Sequence, residues 1–236
     1  MGLRMTNSLI NIFEQMGLKP KELLKSDPSI EFRPDSHRYY DLKNKHWVSH
    51  SISEVIAEGD DYFDKALRGD YGKKKQKEIQ DSIRRGNIIH ECVETLFKTG
   101  KAPSAGEYQP WLDSFLNYKN LETWECIASE IRLVDRRYSI AGSIDFILQS
   151  KEDGRIALCD LKTRSPSFSK NNHKIMKQLG GYLILLYQNY PSIKIDTCRA
   201  YWVTSEKTTT DTYQVLDCQQ LFERARMLFR QKQPTF

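Results

Sequence analysis

Nowhere does the chain place two cysteines at metal-ligand spacing. Its five cysteines, at positions 92, 126, 159, 198 and 218 of 236, are scattered, odd in number and without a C-x-x-C. That argues against a disulfide framework and against a zinc site. No apolar run approaches the ~20 residues that span a bilayer. The start, MGLRMTNSLINIF, has neither the apolar stretch nor the small-residue cleavage site of a secretion signal. Internal repeats, long linkers and low-complexity segments are missing as well. The expectation from these absences is a cytoplasmic, intracellular chain with no membrane partner. Cys92, Cys159 and Cys198 fall in apolar patterns and read as small buried hydrophobes.

Charge of one sign is also modest. Thirty-six basic residues stand against 31 acidic ones, a net +5, which permits nucleic-acid binding without demanding it. The basic residues are grouped as Lys73-Lys-Lys-Gln-Lys77, Arg84-Arg85, Arg136-Arg137 and the stretch 170–177. Any one of these groups reads equally well as solvated surface. What is plentiful is ordinary globular material, 39% hydrophobic and 28% charged, in a length that suits one domain with a real core.

In chain order, the pattern predicts a short helix over residues 4–17, capped by Asn7 or Ser8, with Leu9, Ile10, Phe13 and Met16 on one face. A hairpin is expected over 32–49, with Arg38-Tyr-Tyr and His46-Trp-Val as strands. A helix over 53–67 would be capped by Ser53, with Tyr62 or Phe63 turned inward, before Gly69-Asp-Tyr-Gly72 interrupts. A longer helix over 74–98 would end at Gly100 with Ile79, Ile83, Ile89, Cys92, Val93, Leu96 and Phe97 as its inner stripe. His90 borders that stripe and Glu94 lies one turn later. Trp111, Phe115 and Tyr118 read as core contacts of a helix over 111–118, not as a base-stacking platform. His37, His46 and His50 read as surface or hairpin residues rather than ligands.

The first long strand is expected over 126–134, with Ile127, Ile131 and Leu133 on one side and Ala128, Glu130 and Arg132 on the other. After a polar stretch over 164–177, a helix over 172–190 stops at Pro191. Gly180-Gly181 in its middle costs ~1 kcal/mol per glycine relative to alanine. Small residues there imply close approach of the sheet or of a nucleic-acid backbone. A strand over 196–204, an edge strand over 212–216 and a closing helix over 218–232 complete the chain.

Residues 139–182 organise the rest. SIAGSIDFILQ and RIALCDLKT alternate apolar and polar residues around SKEDG, which reads as a β-hairpin turning at Gly154. Strand periodicity sets Ile156, Leu158, Asp160 and Lys162 on one face, with Asp145 of the preceding strand as a neighbour. A lone D-x-K is ordinarily a strand-end ion pair. Here Gly142-Ser-Ile-Asp145 precedes it by one hairpin, Gln178 and Tyr182 follow four apart on one helix face, and His90 lies upstream in RGNIIHECVETLF.

Together, in this order, the set resembles the RecB-like branch of the PD-(D/E)XK nuclease superfamily, which includes phage exonucleases and CRISPR-associated adaptation nucleases. The resemblance covers about residues 84–187 closely and the N-terminal third loosely. It implies an α/β fold with a restriction-endonuclease-like core, a mixed central β-sheet of four or five strands flanked by helices. Residues 81–236 would form that core and residues 1–80 an N-terminal helical and hairpin elaboration over one end of the cleft, in a single domain.

The resemblance also implies chemistry. Asp145 and Asp160, the Leu161 carbonyl and His90 would hold one or two Mg²⁺ or Mn²⁺ ions, with Glu130 facing them through water. Glu94 could fix the histidine tautomer. Lys162 would orient or deprotonate the attacking water, and Gln178 and Tyr182 would position the substrate strand or orient Lys162. Arg84, Arg85, Arg164, Lys170, Lys174 and Lys177 would hold the nucleic-acid backbone, setting register and not sequence preference. Some relatives carry an iron–sulfur cluster on four cysteines. Lacking that grouping, this chain is expected to hold none.

The activity so implied is a divalent-metal-dependent DNA exonuclease acting on single strands or ends, since no sequence-reading module is evident and histidine-bearing members are frequently exonucleases. The alternatives are a structure-specific endonuclease for flaps or branches with the same site, and an idle nucleic-acid-binding subunit. An idle member would be expected to have lost the lysine or an aspartate, and both are present.

Overall fold

The computed structural model describes residues 24–33, 36, 38–57, 72–167 and 170–232. The helix expected over 4–17, residues 58–67 of the one expected over 53–67, the Gly69 end of the interruption and His37 lie outside them. Strands β1 (Ile30–Arg33), β2 (Arg38–Asp41) and β3 (His46–Trp47) form a small antiparallel sheet. The described part of the N-terminal elaboration is therefore as much strand as helix. Then come β4 (His50–Ser51), helix α1 (Ile52–Ala57), α2 (Lys73–Thr99), α3 (Gln109–Leu116), β5 (Trp124–Asp135), β6 (Ile140–Ser150), β7 (Ile156–Thr163), α4 (Asn172–Asn189), β8 (Thr197–Val203), β9 (Thr208–Tyr213) and α5 (Val215–Lys232).

Among the described residues the main sheet has six strands rather than the expected four or five, in the order β4-β6-β7-β8-β9, with β5 also paired to β6. It is mixed: β4 with β6 and β7 with β8 are parallel, the other pairs antiparallel. Helices cover both faces. On one, Ile52, Leu179, Leu183 and Phe222 of α1, α4 and α5 pack on Ile131, Ile144 and Leu158. On the other, Ile89, Val93, Leu112 and Phe115 of α2 and α3 pack on Phe146, Cys159, Leu161 and Tyr201. Burial of both faces explains why β7 reads Ile-Ala-Leu-Cys-Asp-Leu, with five consecutive residues from Ala157 to Leu161 at 1% exposure or less. The restriction-endonuclease-like mixed sheet flanked by helices is thus the fold of this chain.

Local signals account for the element ends. Helix α2 stops where Gly100 takes a left-handed φ of 78° and its N–H meets the Leu96 carbonyl. The β6–β7 turn is closed by Gly154 at φ 72°. Helix α1 is capped by Ser51, not Ser53. The Ser51 hydroxyl accepts from the Glu54 N–H and the Glu54 carboxylate accepts from the Ser51 N–H, a capping box.

Two other expectations are corrected. The edge strand runs Thr208–Tyr213 instead of 212–216, because Thr-Thr-Thr-Asp-Thr-Tyr is β-branched and aromatic, and Val215 already opens α5. Gly180-Gly181 makes room for helices, not for the sheet or a nucleic acid. A Cβ on Gly180 would stand 2.0 Å from the Cys218 carbonyl oxygen of α5, and one on Gly181 would stand 2.8 Å from Ile52 of α1. None of the five cysteines forms a disulfide, and Cys92, Cys159 and Cys198 are buried as expected.

Candidate active site

The site forms where β6 loses a neighbour. One edge of β6 is paired with β5 from end to end, Trp124↔Ser150 through Asp135↔Ile140. The other edge is shared. β4 takes Ile140 and Ala141, and β7 takes Phe146 to Gln149. Between them, residues 142–145 have no strand beside them on that edge among the described residues. β6 and β7 part there, and side chains replace the ladder.

Asp145 Oδ2 accepts the N–H of Leu161 at 2.7 Å, and His90 Nε2 lies 2.9 Å from the Leu161 carbonyl oxygen. A carbonyl can only accept, so Nε2 carries a proton, and Nδ1 is the nitrogen that offers a lone pair when the ring is neutral. Nδ1 lies 3.5 Å from Asp145 Oδ1. The tautomer is therefore set by the Leu161 carbonyl; Glu94 instead pairs with Lys98. That carbonyl, expected as a metal ligand, accepts from the histidine with one of its two lone pairs.

Glu130 completes the group. The pairs Ser129↔Phe146 and Ile131↔Ile144 place it opposite Asp145. Its φ of 49° is a left-handed conformation unusual for a non-glycine residue, and such strain is a feature of functional sites. Ligand atoms of His90, Glu130 and Asp145 all lie within 4.8 Å of one another. They line a small cleft of about 10 Å³ walled by Val93, Glu94 and Phe146. Glu130, expected to face the metals through water, stands beside His90 and Asp145. Periodicity gave its side of the strand but could not foresee the positive φ.

The charges fit a divalent cation. Burial, and then the charges of Asp145 and Glu94, push the Glu130 carboxyl up to about 8. Acids crowded into a poorly hydrated cleft resist ionisation until a cation joins them. Two carboxylates and a neutral imidazole form a donor set suited to Mn²⁺ and compatible with Mg²⁺.

Asp160 and Lys162 lie on the α4 face of β7. Asp160 is fully buried. Its Oδ1 accepts from Lys162 Nζ at 3.0 Å, and Nζ lies 2.8 Å from Oδ2, which no donor hydrogen-bonds among the described residues. Burial raises the Asp160 carboxyl to about 6 against the pull of Lys162, with the Asp145 charge adding to the rise. Held this way, the ammonium is a donor. Gln178 Nε2 donates to the Tyr182 hydroxyl at 2.6 Å. Tyr182 is 5% exposed and fills the space left by Gly142, where a Cβ would stand 3.1 Å from its ring. Gln178 itself is half-buried. Neighbouring Asp160 and Asp145, after burial itself, hold the Tyr182 hydroxyl well above its ordinary pKa.

The residues expected to hold a nucleic-acid backbone divide. Arg84 is exposed, 3.1 Å from Glu107, and Lys174 is exposed at the start of α4. Lys170 is exposed but bound to both Asp211 oxygens, at 2.9 and 3.0 Å. Arg164 is partly buried over the Trp202 ring at 5.4 Å, and Lys177 is half-buried. Arg85 is not on the surface. It is 7% exposed, its guanidinium 5.0 Å over Trp111 and 3.6 Å from Asp81. Burial lowers its pKa. The stripe of α2 that packs on the sheet includes position 85, which a count of charges does not reveal.

With this geometry in place, comparison with known proteins is decisive at one level. The sequence pattern of the PD-(D/E)XK nuclease superfamily matches residues 111–233, more than half of the chain. The chain belongs to the PD-(D/E)XK nuclease superfamily. No curated protein matches it. Among solved structures, that of SSO0001 is similar over 75% of each chain at 14% identity, with a TM-score of 0.38, too distant a likeness to bear on function. Membership implies a divalent-metal-dependent nuclease with a nucleic-acid substrate. No described helix is long and apolar enough to cross a membrane.

Proposed function

We propose that this superfamily member is a DNA exonuclease of the RecB-like, phage-exonuclease branch. It hydrolyses single strands or strand ends in the cytoplasm with Mn²⁺ or Mg²⁺ held by His90, Glu130 and Asp145 and by Asp160 at their margin. One observation carries the reading. An imidazole and two carboxylates from three elements meet within 4.8 Å at the gap in the sheet, beside the paired Asp160 and Lys162. A divalent ion bound there supplies neutralisation of phosphate charge and alignment of a water. The protein's own groups do the rest. Leu161 fixes the histidine and Asp145, Lys162 presents its ammonium to the attacking water or the phosphate, and Gln178 and Tyr182 position the lysine and the strand. Residues 81–236 are the nuclease core and residues 1–80 its elaboration.

The test is Mn²⁺ with end-labelled single-stranded DNA. The wild type should release short products and Lys162→Ala should not. If the two behave alike, the reading fails. Circular single-stranded DNA should survive intact. Its cleavage would move the assignment to a structure-specific endonuclease with the same site. An RNA strand of equal sequence, tested alongside, should be cut more slowly.

A further inference from the structure

The small N-terminal sheet has an inner and an outer face. Ile30, Tyr39 and Val48 pack inward against Val134 and Ala141. Strand alternation then sets Glu31, Arg33, Arg38, Tyr40 and Trp47 on the outer face. Tyr40 stands opposite both Glu31 and Trp47, and Arg38 opposite Arg33. Trp47 is 41% exposed, and Leu42 in the following turn is 48% exposed. An indole left this open to water marks a contact surface more often than a core. Its ring is braced by the edge of Tyr40 at 5.3 Å and carries the Arg38 guanidinium at 5.0 Å.

Charge and rigidity identify the occupant. Arg38 lies over the Trp47 ring, and Lys43 and Lys45 belong to the turn that joins β2 to β3. Glu31 is already paired with Arg33 at 2.8 Å. Glu54 is exposed and accepts from the Ser51 N–H at the start of α1, and Asp41 is buried. It accepts from the Lys43 and Asn44 N–H groups, the Asn44 side chain and Arg136 Nε, all at 2.9–3.0 Å, so its charge is spent on locking the turn. Flat aromatic rings amid cations on a fixed frame match unstacked bases strung on phosphates. A duplex, with its base faces stacked inside, offers the rings nothing. The frame also touches the active-site strand. Tyr39, between Arg38 and Tyr40, shares a 3.0 Å hydrogen bond with Ser143, two residues from Asp145.

We propose that the outer face of β1–β3 is a single-strand platform, on which Trp47 and Tyr40 stack bases of the strand delivered to the cleft while Arg38 and the turn lysines hold its phosphates. The proposal rests on the nuclease reading for its choice of strand. The test is binding of a fluorescein-labelled oligodeoxythymidylate in EDTA, with cleavage of long single strands in Mn²⁺ measured in parallel. Trp47→Ala should weaken binding roughly 5- to 100-fold. Trp47→Phe should restore most of it, and the loss in cleavage should fall on KM more than kcat. Trp47→Ala binding like wild type overturns the platform, as does an equal loss for duplex and single strand. A change in oligomeric state without a change in strand affinity overturns it too. The two readings fail separately. Trp47-dependent strand binding without Mn²⁺-stimulated cleavage sinks the nuclease and keeps the platform, whereas cleavage indifferent to Trp47 does the reverse.

Discussion

Asp145 accepts the main-chain N–H of Leu161 across the gap between β6 and β7 at 2.7 Å. That N–H faces a side chain where a continued ladder would have offered a carbonyl. The same residue thus ends the pairing of two strands and turns its second oxygen toward His90 and Glu130.

An Asp145→Asn variant separates those two duties. The amide oxygen can still accept from Leu161, which leaves an NH₂ group, useless as a ligand, facing the imidazole. We expect the fold to survive, with Mn²⁺ affinity by calorimetry falling at least ~100-fold and strand cleavage lost. Retained Mn²⁺ binding would mean that the three-residue cluster is not the metal site.

The pH dependence of stability follows from Glu130 and Asp160. Their carboxyls titrate at about 8 and about 6 in the folded chain, against ordinary values of 4.5 and 3.8. Between the ordinary and folded values the folded state binds more protons than the unfolded one, so raising pH lowers stability. Without metal, Tm should fall as pH rises from about 4 to 8 and level off above. Saturating Mn²⁺ should flatten the slope, with an apparent affinity that increases over the same range. Glu130→Gln should remove the upper part of the slope. A metal-free Tm that climbs through this window would contradict the burial of both acids.

Much of this was legible in the sequence. The β6–β7 hairpin, the face shared by Asp160 and Lys162, the span of α2 and the His90 position all follow from period and punctuation, because both strands and the helix are long and regular. What the sequence leaves open depends on contacts between distant segments. The β4–β6 pairing that opens the gap at Gly142 is two residues long. The positive φ of Glu130 is set by its surroundings. Whether Arg85 meets solvent or Trp111 depends on where α3 lies. The glycine pair marks Gly180 as a close-approach point, but only the structure says to what.

Gly180→Ala tests that approach. Alanine would improve helix propensity by ~1 kcal/mol in an exposed helix. Here its Cβ meets a backbone carbonyl that no rotamer change can move aside, 2.0 Å from the Cys218 oxygen. Overpacking of this kind costs ~1–3 kcal/mol or more, which outweighs the propensity gain. Thermal unfolding should show Tm lowered by several degrees. A Tm equal to or above wild type would mean that α4 and α5 are farther apart than described.

Arg85 offers the sharpest contrast between the charge pattern and the fold. As a phosphate contact, its removal would weaken DNA binding and flatten the salt dependence by about one unit. As a buried side chain spread over Trp111, its removal takes away packing and a cation–π contact worth ~1–2 kcal/mol. The acid left behind, Asp81, is half-exposed and accepts from the Tyr108 hydroxyl at 2.6 Å, so no buried charge is stranded. Arg85→Ala should therefore lower Tm by a few degrees and leave strand affinity and its salt slope in EDTA unchanged. Lys174→Ala, at an exposed position of α4, should do the opposite. If Arg85→Ala instead flattens the salt slope at constant Tm, the guanidinium reaches a phosphate and the packing described for α2 and α3 is wrong.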